Sequence, residues 1–283
     1  MAVFLNTTID DTGSIQLPAG TIAQRPVPTS GMIRCNTETG RYEFYNGSYW
    51  IDTATGSPSI ITDGRRLHLD VGNPRSYPGE GTIWYDASGN GNIATFTNGP
   101  VYTSGTNGYF TFDGVDDFAS IANSTSLQVA DTFTINSWVY PTNLSGRYGI
   151  FSTRTNNAAG SWQLEVGTAN AGTGRVAVTG VGTWIFESVN NAVTINNWFN
   201  VCFVKPNNAT QGGTLYVNGT SIGSVVTTAY TILNNNDNKV IAQGSSGSQL
   251  FPGRISHVSL YNVALTADQV TQNFNAFRGR YGV

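Results

Sequence analysis

Three carboxylates fall within five residues, at Asp113, Asp116 and Asp117. Like charges that close repel unless water, backbone amides or a cation meets them. The residues alone leave three readings open: a solvated acidic turn, a bound calcium, or a catalytic carboxylate cluster. A second oxygen-rich run, Asp86, Ser88, Asn90 and Asn92, has the alternate spacing of a calcium loop. The bidentate glutamate that closes such a loop would fall at Thr97, so this run reads as a turn. Aromatic rings are the other candidate chemistry. Trp138, Trp162, Trp184 and Trp198 lie in or beside strand-like runs. Such rings either pack a core or stack on sugar faces while a nearby Asn or Asp takes hydroxyls. Trp138, Trp162 and Trp184 are the candidate ligand-stacking residues.

Catalysis has no visible source. Paired-carboxylate catalysis needs two carboxylates either about 5 Å or about 6.5–9.5 Å apart. A Glu-x-Asp-x-Glu strand would deliver them, because alternate residues share a face. The five glutamates, Glu38, Glu43, Glu80, Glu165 and Glu187, are instead scattered singly, and Glu165 has no carboxylate two residues away. Both histidines, His68 and His257, sit in strand-like runs and read as structural. No nucleophile elbow, phosphate loop or zinc spacing occurs. The expectation is a protein without catalytic residues and with no certain cofactor, calcium at Asp113, Asp116 and Asp117 being the candidate metal.

The elements that would position these groups are strands. Tyr109-Phe110-Thr111-Phe112 is aromatic and β-branched, Asp113-Gly114 turns the chain, and Phe118 to Ile121 begins another strand. From Thr132 onward ten or so short runs of this kind are separated by Gly and Asn turns. That pattern indicates an all-β sandwich. The credible helix runs from Ala267 to about Phe277, with Thr266 and Gln269 forming a capping box. Its apolar stripe is Val270, Phe274 and Phe277.

Composition narrows the partners. The 283 residues carry 11% charged and 12% aromatic side chains and a net charge of -3. No basic stripe is present to neutralise phosphates, so nucleic acid is not an expected partner. No run approaches the roughly 20 apolar residues of a membrane span. Met1 to Leu5 lacks the basic and long apolar regions of a signal peptide. The two cysteines, Cys35 and Cys202, lie far apart and read as separate buried thiols.

Residues 1–58 differ from the rest. Ile33 to Asn36 and Tyr42 to Tyr45 flank Thr37-Glu38-Thr39-Gly40 as a β-hairpin, and Asn46-Gly47 gives a second tight turn. Ala54 to Ser59 reads as a linker to a large domain, residues 59–283. A module of about 60 residues is marginal alone, so this one is expected to dock on a partner, to oligomerise or to pack on its own sandwich.

Five segments in order resemble laminin G-like domains of the concanavalin A-like lectin and glucanase superfamily. They are Phe112-Asp113-Gly114 with Asp116-Asp117-Phe118, Thr132 to Val139, Gly213 to Gly219, Phe251 to Tyr261, and Leu265 to Val270. The resemblance implies a concanavalin A-like antiparallel jelly roll with a short C-terminal helix. It also implies ligand sites in rim loops, often around calcium, for which Asp113, Asp116 and Asp117 are the matched residues. Arg25 to Trp50 resembles a small β module of bacteriophage tail-fibre and other virion proteins, and Leu67 to Asn92 resembles the lead-in to phage-borne laminin G-like domains. This implies a virion structural protein, a capsid decoration or a tail fibre or spike, assembled in the host cytoplasm. Residues 1–58 would join it to other virion proteins as a homo-oligomer such as a trimer, and the sandwich would face host-surface glycans. A free carbohydrate-binding lectin or adhesin is the alternative.

Overall fold

The computed structural model describes residues 16–53, 58–105, 107–130, 132–156, 158–167, 174–206, 212–222, 225–226 and 230–283. The chain divides into two compact units, Met1–Ser59 and Ile60–Val283. The linker residues Ala54 to Ser57 and the N-terminal stretch Met1 to Leu5 lie outside the described residues. No helix among the described residues is long and apolar enough to cross a membrane.

The first unit is a small sheet in the order Ala19–Gly20, Ile33–Asn36, Arg41–Tyr45, Trp50–Asp52. The expected hairpin is present, and Gly40 takes φ 67° where its four-residue loop returns to the strand. The sheet's amphipathicity is inverted. Its covered face carries Arg34, Asn36 and Glu43 together with Trp50, all buried, and Glu43 accepts from Arg25, Arg34 and Asn36. The opposite face carries Ile33, Cys35, Tyr42, Phe44 and Ile51, with Ile33 45% and Tyr42 54% exposed. Cys35 is therefore half-buried, not buried as its sequence context suggests, because it belongs to the open face.

The second unit is an all-β sandwich with one C-terminal helix. Among the described residues, one sheet has nine strands, with Trp162–Val166 and Tyr148–Ser152 near its middle. The other has eight, centred on Phe133–Pro141 and Pro252–Tyr261. Paired strands in both are antiparallel. Alternation along each strand sends one set of side chains between the sheets. Trp84, Phe110, Phe133, Phe151, Trp162 and Phe203 are among the fully buried side chains that fill this interior. Phe133 stacks on Trp162 with ring centroids 4.6 Å apart. Asn218 and Gly219 both take positive φ, 51° and 73°, in the tight turn from Thr214–Val217 to Thr220–Ser221.

Helix α1 (Ala267–Tyr281) lies on the outer face of the eight-stranded sheet. The capping box forms as its sequence dictates: the Gln269 amide donates to the Thr266 hydroxyl, and Thr266 N–H donates to the Gln269 side chain at 2.9 Å. Val270 packs with Tyr261 and Cys202, whose thiol pKa burial pushes up, and Phe274 and Phe277 pack with Trp138. The helix runs one turn past the expected end at Phe277. Arg280 Nη1 donates to both carboxylate oxygens of Asp70 and the Tyr281 ring lies 4.4 Å from Trp138, so tertiary contacts hold the turn that contains Gly279.

Candidate functional site

Asp113, Asp116 and Asp117 come together on the turn after strand Tyr109–Asp113, with one carboxylate oxygen of each within 4.8 Å of the others. Backbone amides already meet part of this charge. Asp113 Oδ1 accepts from Val115, Asp116 and Asp117 at 2.8, 3.2 and 3.4 Å. These bonds, that of Val115 foremost, hold the Asp113 carboxyl below its ordinary pKa. Asp117 is buried, and desolvation together with the charges of Asp113 and Asp116 raises its pKa. The spacing admits one cation touching all three, but three carboxylates fall short of the six to eight oxygens calcium takes. The Asp86 run is a turn, as its spacing without a closing glutamate requires. Asp86 accepts from His68 N, Ser88 N and Asn92 N, so protein donors occupy both its oxygens.

Two of the three tryptophan candidates are corrected by the structure. Trp162 is 1% exposed because it shares the inward side of its strand with Leu164 and Val166. Trp138 is 0% exposed because α1 covers the outward side, with Phe274 stacked 5.7 Å from it at 14° between planes. Neither offers a ring face to a ligand. Trp184 is half-buried, and the Arg147 guanidinium sits over its ring at 4.5 Å. Arg147 grips the fully buried Glu165 through two bonds of 2.9 Å, and Thr179 and Gln163 donate to the same carboxylate. Glu165 is thus tied up as a structural anion.

A cluster of half-buried rings lies beyond the end of α1. Tyr140 follows the buried Trp138 by two residues on the same outward side, and the helix does not extend over it. Half-buried Trp198 lies 5.6 Å from Tyr140 and 5.8 Å from Tyr109, and its other neighbour is Tyr281 at 4.6 Å. Arg254, paired with Tyr140 across the ladder, places its guanidinium over both tyrosines, 4.7 Å from the Tyr109 ring and 4.5 Å from the Tyr140 ring. These residues form an aromatic platform around one cation. Its elements also present the acidic turn, since Pro252 pairs with Asp113 and Arg254 with Thr111. Sequence reasoning singled out Trp198 as a ring beside a strand but had no local signal for the cluster, which joins strands distant in sequence. A separate hollow of about 280 Å³ is lined by Val71, Pro74, Tyr77, Pro78 and Tyr102, with no titratable group other than the two phenols.

Residues 112–271, more than half of the 283, match the family model described as the concanavalin A-like lectin/glucanases superfamily. The chain belongs to that superfamily. No curated protein matches it in sequence. Among solved structures it is similar to domain 4 of AbnA, a GH43 extracellular arabinanase from Geobacillus stearothermophilus, in complex with arabinotriose. That match has 17% identity and a TM-score of 0.57, and covers 75% of this chain and 98% of that one. It is also similar to the binding domain of Paraclostridial Mosquitocidal Protein 1, at 19% identity and TM-score 0.57, covering 76% of this chain and 53% of that one. The binding domain of Botulinum Neurotoxin DC in complex with SialylT matches at 15% identity and TM-score 0.55, covering 76% and 52%. The chain thus spans nearly all of the arabinanase domain but about half of the toxin domains. At these identities the likeness is one of fold.

Proposed function

We propose that this superfamily member is a non-catalytic glycan-binding module displayed on a bacteriophage virion. The observation that carries the binding half is the platform of Tyr109, Tyr140 and Trp198 around Arg254. Flat, half-exposed rings stack on the apolar faces of sugars, and the guanidinium edge donates hydrogen bonds to their oxygens. Binding without catalysis is supported by the single, locked state of Glu165 in its Arg147 pair. It is further supported by what the similar structures are: two toxin binding domains, one in complex with SialylT, and an arabinanase domain in complex with arabinotriose. Calcium at Asp113, Asp116 and Asp117 would steady the turn next to the platform without entering any reaction.

The virion half is supported by the resemblance of Arg25 to Trp50 to a virion-protein module and by the open apolar face of Ile33, Tyr42 and Phe44. An apolar sheet face on so small a unit suits attachment to a partner surface. Two experiments test the two halves separately. On a glycan array the chain is expected to bind a defined set of glycans, and Tyr140→Ala is expected to lose them; an array without hits removes the binding half. Electron microscopy of purified particles is expected to locate the chain on the particle, and a form lacking residues 1–58 should be absent. A chain that binds glycans but never associates with particles is a free lectin.

A further inference from the structure

The platform's arginine stands apart from those that pair with carboxylates. Six other arginines each hold a carboxylate: Arg25 and Arg34 on Glu43, Arg41 on Asp52, Arg147 on Glu165, Arg175 on Glu187, and Arg280 on Asp70. Arg254 holds none. Among the described residues its guanidinium makes no ion pair and no side-chain hydrogen bond, and its only partners are the faces of Tyr109 and Tyr140. Stacking occupies the faces of a guanidinium and leaves the N–H donors at its edge pointing along the surface. Those donors form a rigid fork that matches a carboxylate bidentately. The two tyrosines hold the fork in place before any ligand arrives, which lowers the ordering cost of binding. The nearest acidic residues along the ladder, on the Asp113 turn, leave it unpaired.

We infer that Arg254 is an anchor for a carboxylate, so that the glycans taken by this surface contain an acidic sugar, a sialic or a uronic acid. This rests on the platform reading and narrows it. The sugar ring lies on Trp198 and its carboxylate meets the Arg254 fork. A protein whose net charge is -3 gains no long-range attraction for such a ligand, so selectivity must come from this local group.

Calorimetric titration of the full chain tests the inference, with sialyllactose against lactose and trigalacturonate against its methyl ester. At least one acidic member is expected to bind about tenfold more tightly than its neutral counterpart. The two pairs tell a sialic from a uronic source. Arg254→Gln is expected to erase the preference, and Arg254→Lys, which keeps the charge without the fork, to restore only part of it. Near-ultraviolet circular dichroism checks that both variants fold, and the lysine variant decides the matter if the glutamine variant does not. Equal binding of acidic and neutral glycans, or a preference that survives in Arg254→Gln, overturns the inference. If neutral glycans bind, are lost in Trp198→Ala and show no acidic preference, the inference fails while the platform stands. If no glycan binds at all, both fail.

Discussion

The imidazoles of His68 and His257 meet at 3.2 Å, Nδ1 to Nε2, with the Phe277 ring of α1 4.6 Å from His257. The same Nε2 lies 2.7 Å from the Ser259 hydroxyl, and His257 Nδ1 is buried without a hydrogen-bond partner. A second proton on His257 would have no acceptor there. Burial is the main cause that lowers both pKa values well below the ordinary value, and the charges of Arg65 and Arg280 add to it. Asp70, on the same outer face, is already engaged by Arg280.

The pH dependence follows from that depression. Unfolded histidine titrates near about 6.5, whereas both folded ones stay neutral below that value. Their contribution to stability is complete above about pH 6.5 and is lost as the pH falls, by up to about 1.4 kcal/mol per pH unit for each histidine. Urea unfolding between pH 8 and 5 should show this loss, with a shallower slope in His68→Gln. Stability that stays level across the range would contradict the neutral pair.

Trp138 and Trp198 separate packing from binding. Trp138→Ala removes the ring beneath Phe274 and should destabilise by about 3–5 kcal/mol, as truncation of a buried aromatic does. Trp198→Ala, at the half-exposed end of the same aromatic chain, should have a distinctly smaller effect on stability and abolish glycan binding. Chemical denaturation of the two variants side by side reads the difference, and equal losses would place Trp198 in the core.

At the acidic turn, Asp117→Asn removes a carboxylate whose charged form is disfavoured by burial and by Asp113 and Asp116. Because the folded pKa is raised, the wild-type penalty appears as the pH rises above the ordinary carboxylate range. The variant should therefore melt higher at pH 7 in chelator. A lower melting temperature would show that the Asp117 charge is needed for its bond from Asp113 N–H. Calcium that raises the wild type and leaves the variant unmoved would reveal a cation at the turn.

Breaking the Arg147–Glu165 pair should be severe, because Glu165 is 0% exposed and its partner keeps partial access to water. Glu165→Ala should destabilise by about 3 kcal/mol or more, since Arg147, Thr179 and Gln163 all lose their shared acceptor. Thermal unfolding measures it, and a loss below about 1 kcal/mol would show that solvent already screens the pair.

Much of the fold was legible because its signals are local. Alternation in Tyr109-Phe110-Thr111-Phe112, the turn residues Asn218-Gly219, and the Thr266 and Gln269 cap each dictate geometry within a few neighbours. The site was legible only in part. Alternation says that Trp138 and Tyr140 share a side, but not that α1 covers the first and stops short of the second. Trp162 and Trp184 read alike as strand tryptophans, although one faces the sandwich interior and the other the outer surface. The inverted face of Ile33 and Tyr42 was hidden because alternation does not say which side the chain will cover. Arg254 gained its meaning from Tyr109 and Tyr140, which only sheet pairing brings to it.

The most direct test of the platform is a titration of the best array ligand followed through the indole N–H signals by two-dimensional NMR. The Trp198 signal is expected to shift with ligand while those of buried Trp138 and Trp162 stay in place. A Trp198 signal that does not move while the ligand binds would contradict this and put the binding site elsewhere on the sandwich.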